Sequence, residues 1–123
     1  MTLQELYSNI DGDYTQATKV LRVDKLINKH ISRLPDNKVV DSVIEAGKTM
    51  DANALFETSH AMKGVCANLG LVRLAELASE ISEEFRPGNP RTHSDAQVAE
   101  IIDRIKELYG KTVDEIQKYK ASL

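Results

Sequence analysis

Apolar residues recur at three- and four-residue spacing along almost the whole chain, and helix-ending residues cut that pattern into short pieces. Such spacing leaves one apolar stripe per segment, which only packing against other helices can bury. TLQELYSNI reads as a short helix, with Thr2 as N-cap and Gly12 just past its end. Asp13 opens a second, YTQATKVL. VDKLINKHISRL sets Val23, Leu26, Ile27, Ile31 and Leu34 on one face and stops at Pro35. DNKVVDSVIEAG turns Val39, Val40, Val43 and Ile44 inward, with Gly47 as its stop. Asp51 opens a longer helix that Gly70 closes. LVRLAELASEISEEF carries Leu71, Leu74, Leu77, Ala78, Ile81 and Phe85 on one stripe. RPGNPRTH is the one clear loop. Ser94 or Asp95 then caps a last helix running to about Tyr119, with Gly110 inside it.

Strand signals are absent, so the expected fold is all-α: an antiparallel four-helix bundle with additional short N-terminal helices. Its four long elements begin near Asp36, Asp51, Leu71 and Asp95. The segments before Pro35 cover one end or side. The expected organisation is a single domain over residues 1–123.

Composition narrows the function classes. The net charge of −3 leaves no basic footprint for nucleic acid. The longest apolar run falls short of a membrane span, and MTLQELYSNIDGDY lacks the order of a signal peptide. Cys66 is the only cysteine, which suits a reducing cytoplasm. The initial Met favours a free-standing chain.

SHAMKGVCANLG, Ser59–Gly70, holds the chemistry. At about 100° per residue, Leu55, Ser59, Met62, Cys66 and Leu69 share one arc facing the core. Phe56, His60, Lys63, Gly64 and Ala67 share a second, turned about 120° away. His60 therefore lies on an edge or outer face, with Lys63 and Gly64 beside it. Neutral imidazole is a competent nucleophile near neutral pH, and Lys63 is a point cation able to balance phosphate charge. Gly64 and Ala67 leave a shallow floor over which a partner can approach. A glycine inside a helix costs about 0.5–1 kcal/mol relative to alanine, so a missing side chain here asks for a reason. Among the other histidines, His30 reads as structural or surface, and His93 sits in the polar loop without a partner. Cys66 points inward as a small core hydrophobe.

These residues resemble the histidine-containing phosphotransfer (HPt) domain family. Its pattern is matched by His60, Lys63-Gly64, VCAN, the LGL step and LVRLAELASEI, with ALFETS approaching the histidine. The close match covers about residues 52–85. The resemblance implies a four-helix bundle whose exposed histidine takes phosphate from one receiver-domain aspartate and passes it to another. It implies His60 as phosphoacceptor, Lys63 as phosphate-balancing charge and Gly64 as docking clearance. Family members often carry Gln or Glu on the next helix near the imidazole; Ser82, a shorter residue, holds that position here. Arg86, one turn later, supplies positive charge. Phe56 and the apolar residues of the N-terminal helices rim the docking contact. The implied partners are receiver domains, one of them within a hybrid sensor kinase, and Mg belongs to the receiver. No cofactor is expected on this chain. With no kinase-type ATP-binding segment, the chain is a phosphotransfer intermediate rather than an independent catalyst.

The competing reading is an HPt-like module that docks receivers without carrying phosphate. A metal or haem bundle lacks ligand spacing, since no Glu-x-x-His pair and no Cys-x-x-Cys-His occurs. A Ser-His-Asp hydrolase lacks a nucleophile-elbow sequence.

Overall fold

The computed structural model describes residues 1–123 and contains helices and turns but no strand. Three short helices come first: α1 (Leu3–Asn9), α2 (Tyr14–Leu21) and α3 (Asp24–Arg33). A 3-10 turn over Leu34–Asp36 leads to α4 (Val39–Thr49), α5 (Ala52–Asn68), α6 (Val72–Phe85) and α7 (Asp95–Ala121). Side-chain caps start most of the helices where polar residues precede apolar periodicity. Asp13 and Asp51 accept from the backbone N–H groups of Gln16 and Ala54. Thr2 with Glu5, and Ser94 with Gln97, close full capping boxes.

The last four helices form a closed ring. α5 packs on α4 and α6, and α7 packs on the same two from the other side, so α5 and α7 are diagonal. α2 rests on α5, while α1 and α3 rest on α7. One cluster of buried residues draws members from all seven helices, so the N-terminal elements share the core and are not appendages. Tyrosine hydroxyls tie the layers together: Tyr119 donates to Asn28 Oδ1 at 2.6 Å and Tyr109 to the Leu34 carbonyl at 3.1 Å.

Several local expectations are corrected. Gly47 does not stop α4, which continues to Thr49 and ends on Met50 in the left-handed region at φ 53°. Gly47 is instead a packing residue: a Cβ there would fall 2.5 Å from Ile102 Cδ1 of α7. α4 begins at Val39 rather than near Asp36, because Pro35 sits in the 3-10 turn. Val23 and Leu26 are exposed, at 52% and 40%, because α3 is covered along the Ile27–Ile31 stripe only. Val39 and Ile44 are half-buried, while Val40, Val43 and Ala46 carry the inward face of α4. His93 does have a partner.

That partner is Glu84, whose carboxylate is almost fully enclosed, with a side chain 4% exposed. It accepts from the Thr92 and His93 backbone N–H groups, both at 2.8 Å, and from Thr92 Oγ1 at 2.7 Å. Arg91 Nε donates at 3.0 Å, and His93 Nδ1 lies 2.9 Å away. One buried acid on α6 thus organises the loop that returns the chain to α7. Desolvation alone would raise its pKa. The bonds from His93 and Thr92 outweigh that and hold the carboxyl well below the usual range.

The α5–α6 turn is fixed from two sides. The Leu71 N–H donates to the Cys66 carbonyl at 2.9 Å, and Gly70 takes φ 70°, closing the helix in a Schellman arrangement. The Leu69 carbonyl accepts from Tyr7 Oη at 2.6 Å, and the Gly70 carbonyl accepts from the Asp13 N–H at 2.7 Å. α1 and α2 thereby clamp the end of α5.

Two outcomes follow from these anchors. A Cβ at Gly70 would lie 2.2 Å from the Asp13 carbonyl oxygen, on top of the left-handed backbone cost of about 1–2 kcal/mol. Gly70→Ala should therefore lose more than about 2 kcal/mol in urea denaturation; unchanged stability would contradict the clamp. For Glu84, a folded pKa held below the unfolded value of about 4.3 gives stability that is present above that pH and lost as pH falls through the folded value. The melting-temperature gap between wild type and Glu84→Gln should be widest at neutral pH and close progressively below about pH 4.

Candidate functional site

α5 is long because Asp51 caps it and its first turns hold good helix formers, and it is two-faced because its apolar residues recur at i, i+4 and i+7. Leu55, Ser59, Met62 and Cys66 are all fully buried. Ser59 is accommodated in the core because its hydroxyl donates to the Leu55 carbonyl at 2.5 Å. Burial pushes the Cys66 thiol up to about 12, so it stays protonated and takes no part as a nucleophile.

With that stripe inward, the opposite surface is fixed. His60 is exposed, Gly64 is exposed, and Phe56, Lys63 and Ala67 are half-buried around them. The sequence places all five on one surface, and the fold keeps them there. A Cβ added to Gly64 meets no neighbouring atom within 4 Å, so no packing contact requires this glycine. Ala67 and Lys63 border a shallow hollow of about 340 Å³, whose far wall is Val72, Ala75 and Ser79.

The C-terminal end of α6 completes the surroundings. Arg86 lies with its guanidinium carbon 5.4 Å from the centre of the Phe56 ring. Its Nη2 and Nε both donate to Glu83 Oε1, at 2.8 and 3.2 Å. The bond from Arg86 holds the Glu83 carboxyl below its usual range, and the Lys63 charge adds to the pull. Glu83, absent from the motif-based reading, is therefore an acid facing both cations of the site. Its signal in the sequence is only the i,i+3 spacing to Arg86, which many surface pairs share.

Ser82, at the position where the resemblance implies a residue near the imidazole, does not reach the exposed surface of the site. It is fully buried, and its hydroxyl donates to the Ser79 carbonyl at 3.2 Å. It belongs to the inner face of α6 and offers His60 no hydrogen bond. His30 is exposed on a separate groove with Arg33, Asn37 and Asn68. His93 is held by Glu84. The three histidines thus occupy three different environments, and only His60 stands beside an unfilled glycine. No group of three or more His, Cys, Asp or Glu side chains is placed to hold a metal ion. No helix is long and apolar enough to cross a membrane.

Comparison with known families gives one match. The Hpt domain family model matches residues 3–115 of the 123-residue chain, far beyond the motif itself. Neither a curated protein nor a solved structure matches the chain.

Proposed function

The chain belongs to the Hpt domain family, histidine phosphotransfer modules of phosphorelays that interact with receiver domains, and on that premise we propose that His60 carries the phosphate. In this reading a nitrogen of the exposed imidazole attacks the phosphorus of a receiver's aspartyl phosphate. The P–N bond forms as the P–O bond breaks, and the carboxylate leaves with the electron pair. The other ring nitrogen keeps its proton, so the phosphorylated ring is cationic. Onward transfer to a second receiver then expels neutral imidazole, a good leaving group. The chain supplies nucleophile, charge and shape. The receivers supply aspartate and Mg, and a hybrid sensor kinase is the natural source of the first phosphoryl group. The lone buried thiol suits a cytoplasmic setting for such partners.

The observation that carries this reading is the open space at Gly64. Its helix-propensity cost of about 0.5–1 kcal/mol is offset by no packing gain. An exposed glycine directly beside an exposed histidine makes sense if another surface must come close to that ring. Lys63, half-buried on the same face of α5, supports the reading as a point cation able to balance a phosphoryl charge. Arg86 adds a second cation at the rim. The alternative, a docking module without transfer, draws support from Ser82, which turns away and leaves the imidazole without a polar orienting partner.

α7 contains its own control. Gly110 is likewise exposed within a helix and likewise meets nothing within 4 Å, but it lies on the helix diagonal to α5. Gly64→Gln and Gly110→Gln should therefore both leave the melting temperature at or above wild type, because each gains helix propensity. Only Gly64→Gln should lose phosphotransfer from a phosphorylated receiver, by about a hundredfold if the approach is widened by about 1 Å. Early melting of Gly64→Gln alone would mean that this glycine serves the fold. Loss of receiver binding in Gly64→Gln, with no phosphate reaching wild type, would favour the docking module.

A further inference from the structure

The Phe56 and His60 rings lie one helical turn apart on α5, with centroids 5.7 Å apart and planes inclined by only 24°. This is an offset stack within the range where aromatic pairs attract. Arg86 meets the same Phe56 ring from α6, and Glu83 grips Arg86 with two hydrogen bonds. Asn89 Nδ2 donates to the Glu83 carbonyl at 2.9 Å, tying the start of the following loop to the same turn. The contacts form a chain from α6 to the imidazole: Glu83 to Arg86, Arg86 to Phe56, Phe56 to His60.

We propose that Phe56 is the positioning residue of His60, stacked against the imidazole and held in turn by the Arg86–Glu83 pair. The inference rests on the reading of His60 as phosphoacceptor and names what aims it. A histidine ring turns about its second side-chain torsion in a broad, shallow well. An exposed imidazole without a hydrogen-bonded partner samples that well freely, and few of its orientations point a lone pair at an in-line phosphorus. A hydrogen bond from the neighbouring helix would fix the ring, but Ser82 is short, buried and bonded to Ser79. The stack restricts the ring by a face contact instead. The apolar partner also leaves both ring nitrogens uncommitted, so neither the nucleophilic lone pair nor the opposite N–H is tied up. Phe56 then acts on the chemistry before any receiver arrives, in addition to bordering the surface that a receiver covers.

A small phosphoryl donor separates these roles, because it needs no docking surface. The experiment incubates the whole chain with phosphoramidate, measures the rate of phosphate incorporation at His60 by peptide mapping, and records the His60 ring-proton resonances by NMR. Phe56→Leu keeps apolar bulk but removes the ring. It should slow incorporation about two- to tenfold, the worth of an aromatic pair of this kind, and move the His60 ring protons downfield as ring-current shielding is lost. Phe56→Tyr should restore both rate and shifts. Arg86→Ala should move both in the direction of Phe56→Leu, by less. Wild-type rate with unmoved resonances in Phe56→Leu would overturn the inference, and so would a Phe56→Tyr variant as slow as Phe56→Leu. If wild type takes no phosphate at His60, the phosphocarrier reading itself fails. The resonance shifts still decide whether the stack exists.

Discussion

Everything exposed at the candidate site is exposed because the opposite side of α5 must be buried. Leu55, Met62 and Cys66 are fully removed from water, and transferring a side chain the size of Leu55 or Met62 inward is worth about 1.5–3 kcal/mol. A helix is rigid about its axis, so burying this stripe against α4 and α6 leaves His60 and Gly64 facing solvent. No separate device is needed to present the histidine. The rotation of α5 does it, and the rotation is set by the core. The clamp at Leu69 and Gly70 fixes the remaining freedom, sliding along the axis, by tying the end of α5 to Tyr7 and Asp13.

Charge is arranged around that presentation without being built into the core. Lys63 and Arg86 face one carboxylate, Glu83, whose pKa is lowered by Arg86 first and Lys63 to a lesser degree. Glu83 and Arg86 are about half exposed, so their attraction is screened and contributes little to folding. That weakness would suit the role proposed for His60, in which a dianionic phosphoryl group on a cationic ring would change the local net charge by about one unit. Glu84, the next residue, shows the opposite design. Its carboxylate is enclosed, saturated with donors and committed to holding a loop. Two adjacent acids thus do unlike work because one points outward from α6 and the other inward to the loop.

The sequence makes the face of α5 legible, because the 3.6-residue period alone separates the arc of Leu55, Met62, Cys66 and Leu69 from that of His60 and Gly64, without reference to the rest of the fold. It likewise reveals Thr2, Asp13 and Asp51 as caps and narrows the last cap to Ser94 or Asp95, of which the fold selects Ser94, since each cap acts through a bond to a residue three positions away. What it conceals depends on contacts between distant elements. Gly47 resembles a helix stop, but its role is to admit Ile102, fifty-five positions later. Val23 and Leu26 fit the stripe of α3 but remain exposed because no helix covers that edge. The Glu84–His93 pair joins residues whose proximity only the loop creates. The motif covers about residues 52–85, yet the family match spans 3–115, because the flanking helices carry amphipathic pattern rather than recognisable residues.

The central claim is that His60, among three histidines, is the phosphate carrier of this bundle. The most direct measurement is incubation of the chain with a phosphorylated receiver domain and Mg, followed by peptide mapping under conditions that preserve acid-labile phosphate. The account predicts one phosphorylated residue, His60, and loss of the label on acid treatment. Phosphate on His30 or His93 with His60 unmodified, or an acid-stable label elsewhere, would contradict it.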